Sequence, residues 1–237
     1  MFLNKRKNDF LNKANPDFVI LNSAPFAVKE AYKAVRTNIN FSIGASECKV
    51  IIVTSSNSSE GKSTTSVNLA ITMAQTESKV LLIDGDLRKP TIHKLLRLNN
   101  NTGLSDTLIG LGRLEDAINK NYFANLSVIT SGTIPPNPTE LLSSKAMTNL
   151  IEKVCQSYDY IIIDTPPVNI VTDALVLMNE KTGAILVCRQ AETTHEEFKK
   201  SSEKIKSINT NVLGAIMTYS KSQKSYYGGK YRYKDKY

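Results

Sequence analysis

The 237-residue sequence predicts an α/β fold, an open and mostly parallel sheet covered by helices on both faces. Three observations predict it. Short runs such as 50–53, 160–164 and 184–188 are apolar throughout instead of alternating with polar residues, as strands buried on both faces require. These runs alternate with stretches of helical periodicity, the pattern of strand–helix–strand crossovers. The first run also passes through a short polar loop straight into a helix-like stretch, with Gly61-Lys62-Ser63 at the join.

Taken in order, residues 1–22 are polar and irregular and read as a flexible N-terminal arm. Ser23 and Pro25 start a helix, one capping it and the other fixing φ in its first turn. Val28, Ala31, Val35 and Ile39 give that helix an apolar stripe. The first strand, 50–53, leads through the loop to a helix carrying Val67, Leu69, Ile71 and Met73, and further strands follow at 80–83, 126–130, 160–164, 184–188 and 212–217. Between them the periodicity predicts a short helix at 91–98 and helical stretches near 172–180 and 193–207. It also predicts two small helices over 103–119, with Leu104, Leu108, Leu114 and Ile118 facing inward. Pro135-Pro136-Asn137-Pro138 turns into another helix, for which Asn137 as N-cap, Pro138 at N1 and Glu140 at N3 predict a capping box. There is no internal repeat. Residues 23–218 read as one domain, and 219–237, which lack aliphatic side chains, as a disordered tail. That tail holds five of the ten tyrosines.

Composition narrows the classes. Hydrophobic content of 41% and charged content of 22% are ordinary for a soluble globular protein. No apolar run approaches the roughly 18 residues of a membrane span, and no apolar h-region follows the basic start. Cys48, Cys155 and Cys188 are scattered and lack C-x-x-C spacing, which favours a reducing cytosol and no thiol chemistry. The net charge of +8 is carried by the two ends, +3 over residues 1–13 and +5 over residues 220–237, leaving a neutral body. A nucleic-acid surface normally puts basic charge on a folded face, so an acidic membrane or protein surface is at least as plausible a target for such ends.

The stretch from Val50 to Thr65 organises the chemistry. A strand, a loop ending Ser58-Ser59-Glu60-Gly61-Lys62-Ser63-Thr64 and a helix form the setting of a phosphate-binding loop, where backbone amides and the helix N-terminus converge on an anion. Lys62 would reach the terminal phosphates and the Ser63 hydroxyl would sit on Mg²⁺. Ser56 occupies the first glycine position of G-x-x-x-x-G-K-[ST], so this signature alone is compatible with an ordinary Gly-Lys turn. Asp84, Asp86 and Asp164 change that balance, because each ends or follows a strand and a parallel sheet gathers such positions at one edge. Asp164 fits a Mg²⁺ ligand, direct or through water. Of Asp84 and Asp86, one could serve the metal's water shell and the other accept a proton. His93 and His195 are isolated, and no Cys/His cluster has metal spacing.

Together these residues resemble the bacterial tyrosine kinases, or BY-kinases, of capsule and exopolysaccharide synthesis, in particular their separate Gram-positive cytoplasmic subunits. The likeness runs through Glu30-Ala31-Tyr32-Lys33-Ala34-Val35-Arg36, the loop to Thr64, Leu82-Ile83-Asp84-Gly85-Asp86-Leu87-Arg88-Lys89-Pro90, Pro135-Pro136-Asn137-Pro138-Thr139-Glu140, Ile163-Asp164-Thr165-Pro166-Pro167 and the terminal tyrosines. It implies a P-loop NTPase-like fold, ATP and Mg²⁺ as cofactors, and Walker A, A′ and B segments at 55–64, 83–88 and 161–166. Residues 58–64 would then bind nucleotide, and Ser63, Asp86 and Asp164 the metal. Lys62, Asp84 and Asp86 would act in catalysis, with Asp84 accepting the phenolic proton. It further implies autophosphorylation of Tyr226, Tyr227, Tyr231, Tyr233 and Tyr237 between neighbours in a homo-oligomeric ring, with Glu30, Lys33 and Arg36 as the subunit contact. A transmembrane activator (the polysaccharide co-polymerase subunit) would draw a cytoplasmic chain to the inner face of the plasma membrane, and a cognate tyrosine phosphatase would reverse the modification. No nucleic acid is implied. Two departures from the family pattern stand out: Lys33 replaces an arginine and gives up its bidentate fork, and Ser58-Ser59 replaces Pro-Gly in the loop.

Two other readings compete. A ParA/MinD-type ATPase would carry a lysine five residues before Lys62, where this chain has Asn57. A single-stranded RNA binder could stack bases on Tyr231-Arg232-Tyr233-Lys234, but the neutral body offers no basic groove.

Overall fold

A computed structural model describes residues 24–43, 48–208 and 210–219. The expected N-terminal arm, Ser23 and the tyrosine cluster at Tyr226–Tyr237 lie outside the described residues. Among the described residues seven strands form one sheet, in the order β3-β4-β2-β5-β1-β6-β7. They are β1 (Lys49–Ser55), β2 (Val80–Asp84), β3 (Ile118–Phe123), β4 (Leu126–Ile129), β5 (Tyr160–Asp164), β6 (Thr182–Arg189) and β7 (Asn211–Thr218). Every pairing is parallel except β3 with β4. The helices are α1 (Phe26–Ser42), α2 (Lys62–Ala74), α3 (Ile92–Leu96), α4 (Leu104–Leu108), α5 (Leu114–Ala117), α6 (Pro138–Leu142), α7 (Lys145–Cys155) and α8 (His195–Lys206).

The continuous apolar runs are explained by two cores. In β1, Ile51 and Val53 face a core shared with Val67, Leu69 and Ile71 of α2, while Val50 and Ile52 face one shared with Leu150 and Val154 of α7. Alternate residues point to opposite faces, so a strand covered on both sides is buried along its whole length, at about 1.5–3 kcal/mol for each fully buried large aliphatic side chain.

Four local expectations are corrected. Ile118 is not helical; it opens β3, an antiparallel edge strand joined to β4 through Ala124, whose φ is +45°. An edge strand needs no continuous apolar run, so polar residues such as Asn119 and Lys120 hid it. The helical stretch near 172–180 is a single 3₁₀ turn, Leu175–Leu177. There the Asn179 side chain accepts from Lys181 N at 2.9 Å, a local turn that competes with helix continuation. The capping box at Asn137 does not form: its side chain makes no cap hydrogen bond, and at φ −123°, ψ 72° its backbone is far from the extended geometry of Ser144 and Thr194, which do cap. Finally, the inward stripe of α1 is Tyr32, Val35 and Ile39, with Val28 exposed.

Candidate functional site

The sheet register brings the acidic positions together. β5 lies between β1 and β2, with Val53 opposite Asp164 on one side and Asp84 opposite Asp164 on the other. β2 and β5 therefore end level, with β1 running two residues further, at the edge where the loop after β1 turns into α2. The turn uses left-handed backbone twice, at Ser59 (φ +64°) and at Gly61 (φ +87°), the N-cap of α2. α2 has no acidic residue in its first turn, and a helix start leaves its first amides without carbonyl partners.

Lys62, Ser63, Asp86 and Asp164 form one cluster. Lys62 Nζ lies 2.7 Å from Asp86 Oδ2 and 3.6 Å from Asp164 Oδ2. Ser63 Oγ donates to Asp164 Oδ2 at 2.6 Å, and Ser66 Oγ to Asp164 Oδ1 at 2.9 Å. Burial works against the Lys62 charge, but Asp164 and Asp86 outweigh it and hold its pKa above the usual lysine value. Burial, then the neighbouring Asp164 charge, holds Asp84 well above the ordinary carboxylate range. Asp164 is also raised by burial, with Lys62 opposing.

A cavity of about 520 Å³ opens onto this cluster, lined among others by Ser58, Ser59, Gly61, Lys62, Ser63 and Thr64 on one side. Asp86, Arg88 and Tyr219 also line it. Asp84 does not: it is 0% exposed, and its two oxygens accept from the amides of Asp86 (3.3 Å) and Ile92 (3.1 Å). A second cavity, of about 1010 Å³, contains none of the expected site residues.

The Glu60 side chain, expected among the nucleotide-binding groups, faces the loop itself. It accepts from Asn57 N at 3.0 Å and from Thr193 Oγ1 at 2.5 Å. A carboxylate would repel phosphate, and here it braces the loop against the segment following β6. Arg189 adds a bond from NH1 to the Ser59 carbonyl at 3.2 Å and lies 4.0 Å from the Tyr219 ring centroid. Of the expected subunit-contact residues, Lys33 pairs with Glu30 at 2.7 Å, and Arg36 NH1 donates to the Thr72 carbonyl of α2 at 2.7 Å. Sequence reasoning missed Ser66, Thr193 and Arg189; only Ser66 left a signal, three residues beyond Ser63 on the same helix face.

The donor set suits a magnesium nucleotide. Among the described residues no group of three His, Cys, Asp or Glu side chains is placed to hold a metal. Mg²⁺ does not require one, because it keeps several waters and takes one or two carboxylates together with phosphate oxygens. Ser63, Asp164 and Asp86 are the oxygen donors at hand, beside a lysine and a free helix start.

Comparison with known proteins agrees with this geometry. A family profile described as "AAA domain" matches residues 48–213. The tyrosine-protein kinase YwqD of Bacillus subtilis is 44% identical over 85% of this chain and 86% of its own length. The putative tyrosine-protein kinase CapB of Staphylococcus aureus is 39% identical, over 84% and 89%. Among solved structures, the kinase domain of the Escherichia coli tyrosine kinase ETK superposes with a TM-score of 0.79 at 34% identity, covering 96% of this chain and 85% of that one. The Pyrococcus horikoshii septum site-determining protein MinD, complexed with Mg-ADP, follows at 0.62 and 27%, over 72% and 70%. The fold is thus the P-loop NTPase-like one that the strand–loop–helix motif predicted, and the chain belongs to the bacterial tyrosine-protein kinases, beside the Gram-positive proteins YwqD and CapB.

Proposed function

We propose that the protein transfers the terminal phosphoryl group of ATP to tyrosines in residues 220–237 of a neighbouring copy. One observation carries this reading: the cavity lined by Lys62, Ser63 and Asp86 is also lined by Tyr219, from which the chain runs on into the tyrosine-bearing segment.

In this reading the loop amides of 58–64 and the Lys62 ammonium hold the phosphates. Ser63 and Asp164, with Asp86 beside them, would hold Mg²⁺, which when bound would neutralise phosphate charge. The tyrosine oxygen forms a bond to the γ-phosphorus as the bond to the β,γ-bridging oxygen breaks and ADP leaves. The phenolic proton goes to Asp86. The sequence reading gave that step to Asp84, but a base must approach within about 3 Å of the proton it takes. Asp86 lines the cavity, whereas Asp84 is enclosed behind it. Phosphoryl transfer asks for little beyond positioning and charge neutralisation.

The rest of the family resemblance joins the proposal: assembly through Glu30, Lys33 and Arg36, control of capsule or exopolysaccharide synthesis, recruitment to the membrane by a transmembrane activator, and reversal by a tyrosine phosphatase. No helix among the described residues is long and apolar enough to cross a membrane.

A mixing experiment tests the transfer between copies. A Lys62→Met chain with its tail intact is incubated with ATP and a wild-type chain ending at Tyr219. Phosphotyrosine on the Lys62→Met chain is expected. A bare Lys62→Met chain, in a mixture whose full-length wild-type control is labelled, rules out transfer between copies.

A further inference from the structure

The motif 135–140 takes no part in the site so far, yet the fold brings it to the cavity's rim. Arg88 stands there directly after the fully buried Leu87, on a segment pinned by Asp84 to Ile92 N and by Asp86 to Lys89 N. Its Nε donates to Asp173 Oδ2 at 2.8 Å and its NH2 to Asp173 Oδ1 at 3.0 Å. NH2 also meets Thr139 Oγ1 at 3.0 Å, and that hydroxyl donates to Asp173 Oδ1 at 2.5 Å. Two segments distant in sequence thus converge on one guanidinium.

The burial is lopsided. The Asp173 side chain is 0% exposed and that of Arg88 is 39% exposed. A strut between elements would be expected to enclose both partners; here a buried carboxylate fixes the plane of an arginine whose other edge stays open. NH1 makes no hydrogen bond among the described residues, and Arg88 shares the cavity with Lys62 and Lys89. The ion pair is neutral overall, so its value lies in direction: with Nε and NH2 taken up by Asp173 and Thr139, NH1 is left to donate to a phosphate oxygen.

We infer that Arg88 grips the phosphoryl group during its transfer, and that Asp173 and Thr139 are positioning residues that aim it. The inference rests on the phosphoryl-transfer reading above and adds to it the group that meets the moving phosphate.

The test measures binding to the full-length chain of Mg²⁺-ADP alone and of Mg²⁺-ADP with fluoroaluminate, a mimic of the phosphoryl group in transit. Wild type should bind the combination more tightly than ADP. Arg88→Lys should lose about a hundredfold of that gain, the scale of one aimed donor, with ADP affinity unchanged. Thr139→Val should lose about tenfold, Thr139→Ser should restore it, and Thr139→Val should cost nothing more in the Arg88→Lys background. The inference is overturned if Arg88→Lys keeps the gain, if it weakens ADP binding equally, or if the two changes add. It is also overturned if wild type shows no gain. A phosphotyrosine assay run alongside separates the readings: an intact Arg88-dependent gain without any phosphotyrosine removes the kinase proposal and leaves the phosphate contact standing.

Discussion

Ser59 sits at φ +64°, in the left-handed region where a side chain costs roughly 1–2 kcal/mol. The departure from Pro-Gly is therefore a local strain, held in place by the Arg189 bond to the Ser59 carbonyl. Ser59→Gly should stabilise the protein by about 1 kcal/mol in urea unfolding; an unchanged or lower midpoint would mean that the loop is not strained there. Asp84 supplies a second residue-level prediction. Its folded pKa is raised by burial and by Asp164, so the folded state holds a proton that the unfolded state has released. Its contribution is then complete below the unfolded value of about 3.9 and is lost as pH rises through the folded value. Asp84→Asn removes that dependence. Its melting temperature relative to wild type should climb as pH rises above about 3.9 and through the raised folded value, and a flat or falling difference would contradict the assignment. At this scale the gathering of Lys62, Ser63 and Asp164 at one edge was legible in the sequence, since adjacency to a strand end is a one-dimensional signal. The roles of Glu60, Asp173 and Thr193 were not, because each is defined by a partner far along the chain.

Elements were legible where two-sided burial imposed an apolar run, as in β1, β2, β5 and β6, and less so where local chemistry decided. Asn137 and Ser144 make the point, since both precede short helices with capping residues. Ser144, at φ −72°, ψ 157°, accepts from Met147 N at 3.3 Å, whereas Asn137 caps nothing. Ser144→Ala should cost about 1 kcal/mol in thermal or urea unfolding and Asn137→Ala much less; equal costs would show that capping is not what separates them. β3 was missed because an edge strand, paired on one side, carries no burial signature. The 3₁₀ turn was missed because the apolar residues Ala174, Leu177 and Met178 are buried without belonging to an α-helix.

Across the whole molecule, the order of the central strands decides the function. With β5 seated between β1 and β2, the loop after β1 and the acids after β2 and β5 finish at one edge. β7 ends at the same edge, where the Thr218 hydroxyl donates to the Glu60 carbonyl at 2.7 Å. The chain therefore leaves the sheet for its tyrosine-bearing segment beside the phosphate loop. That segment carries +5 before any modification, and each phosphate would add about −1.5 to −2 at neutral pH. Phosphorylation there would therefore reverse the charge that segment carries. Mass spectrometry of the full-length protein after incubation with Mg²⁺ and ATP tests the central claim most directly. Phosphate should appear on tyrosines among residues 226–237 in wild type and be absent from Lys62→Met. A wild-type protein that consumes ATP and leaves every one of those tyrosines bare would contradict it.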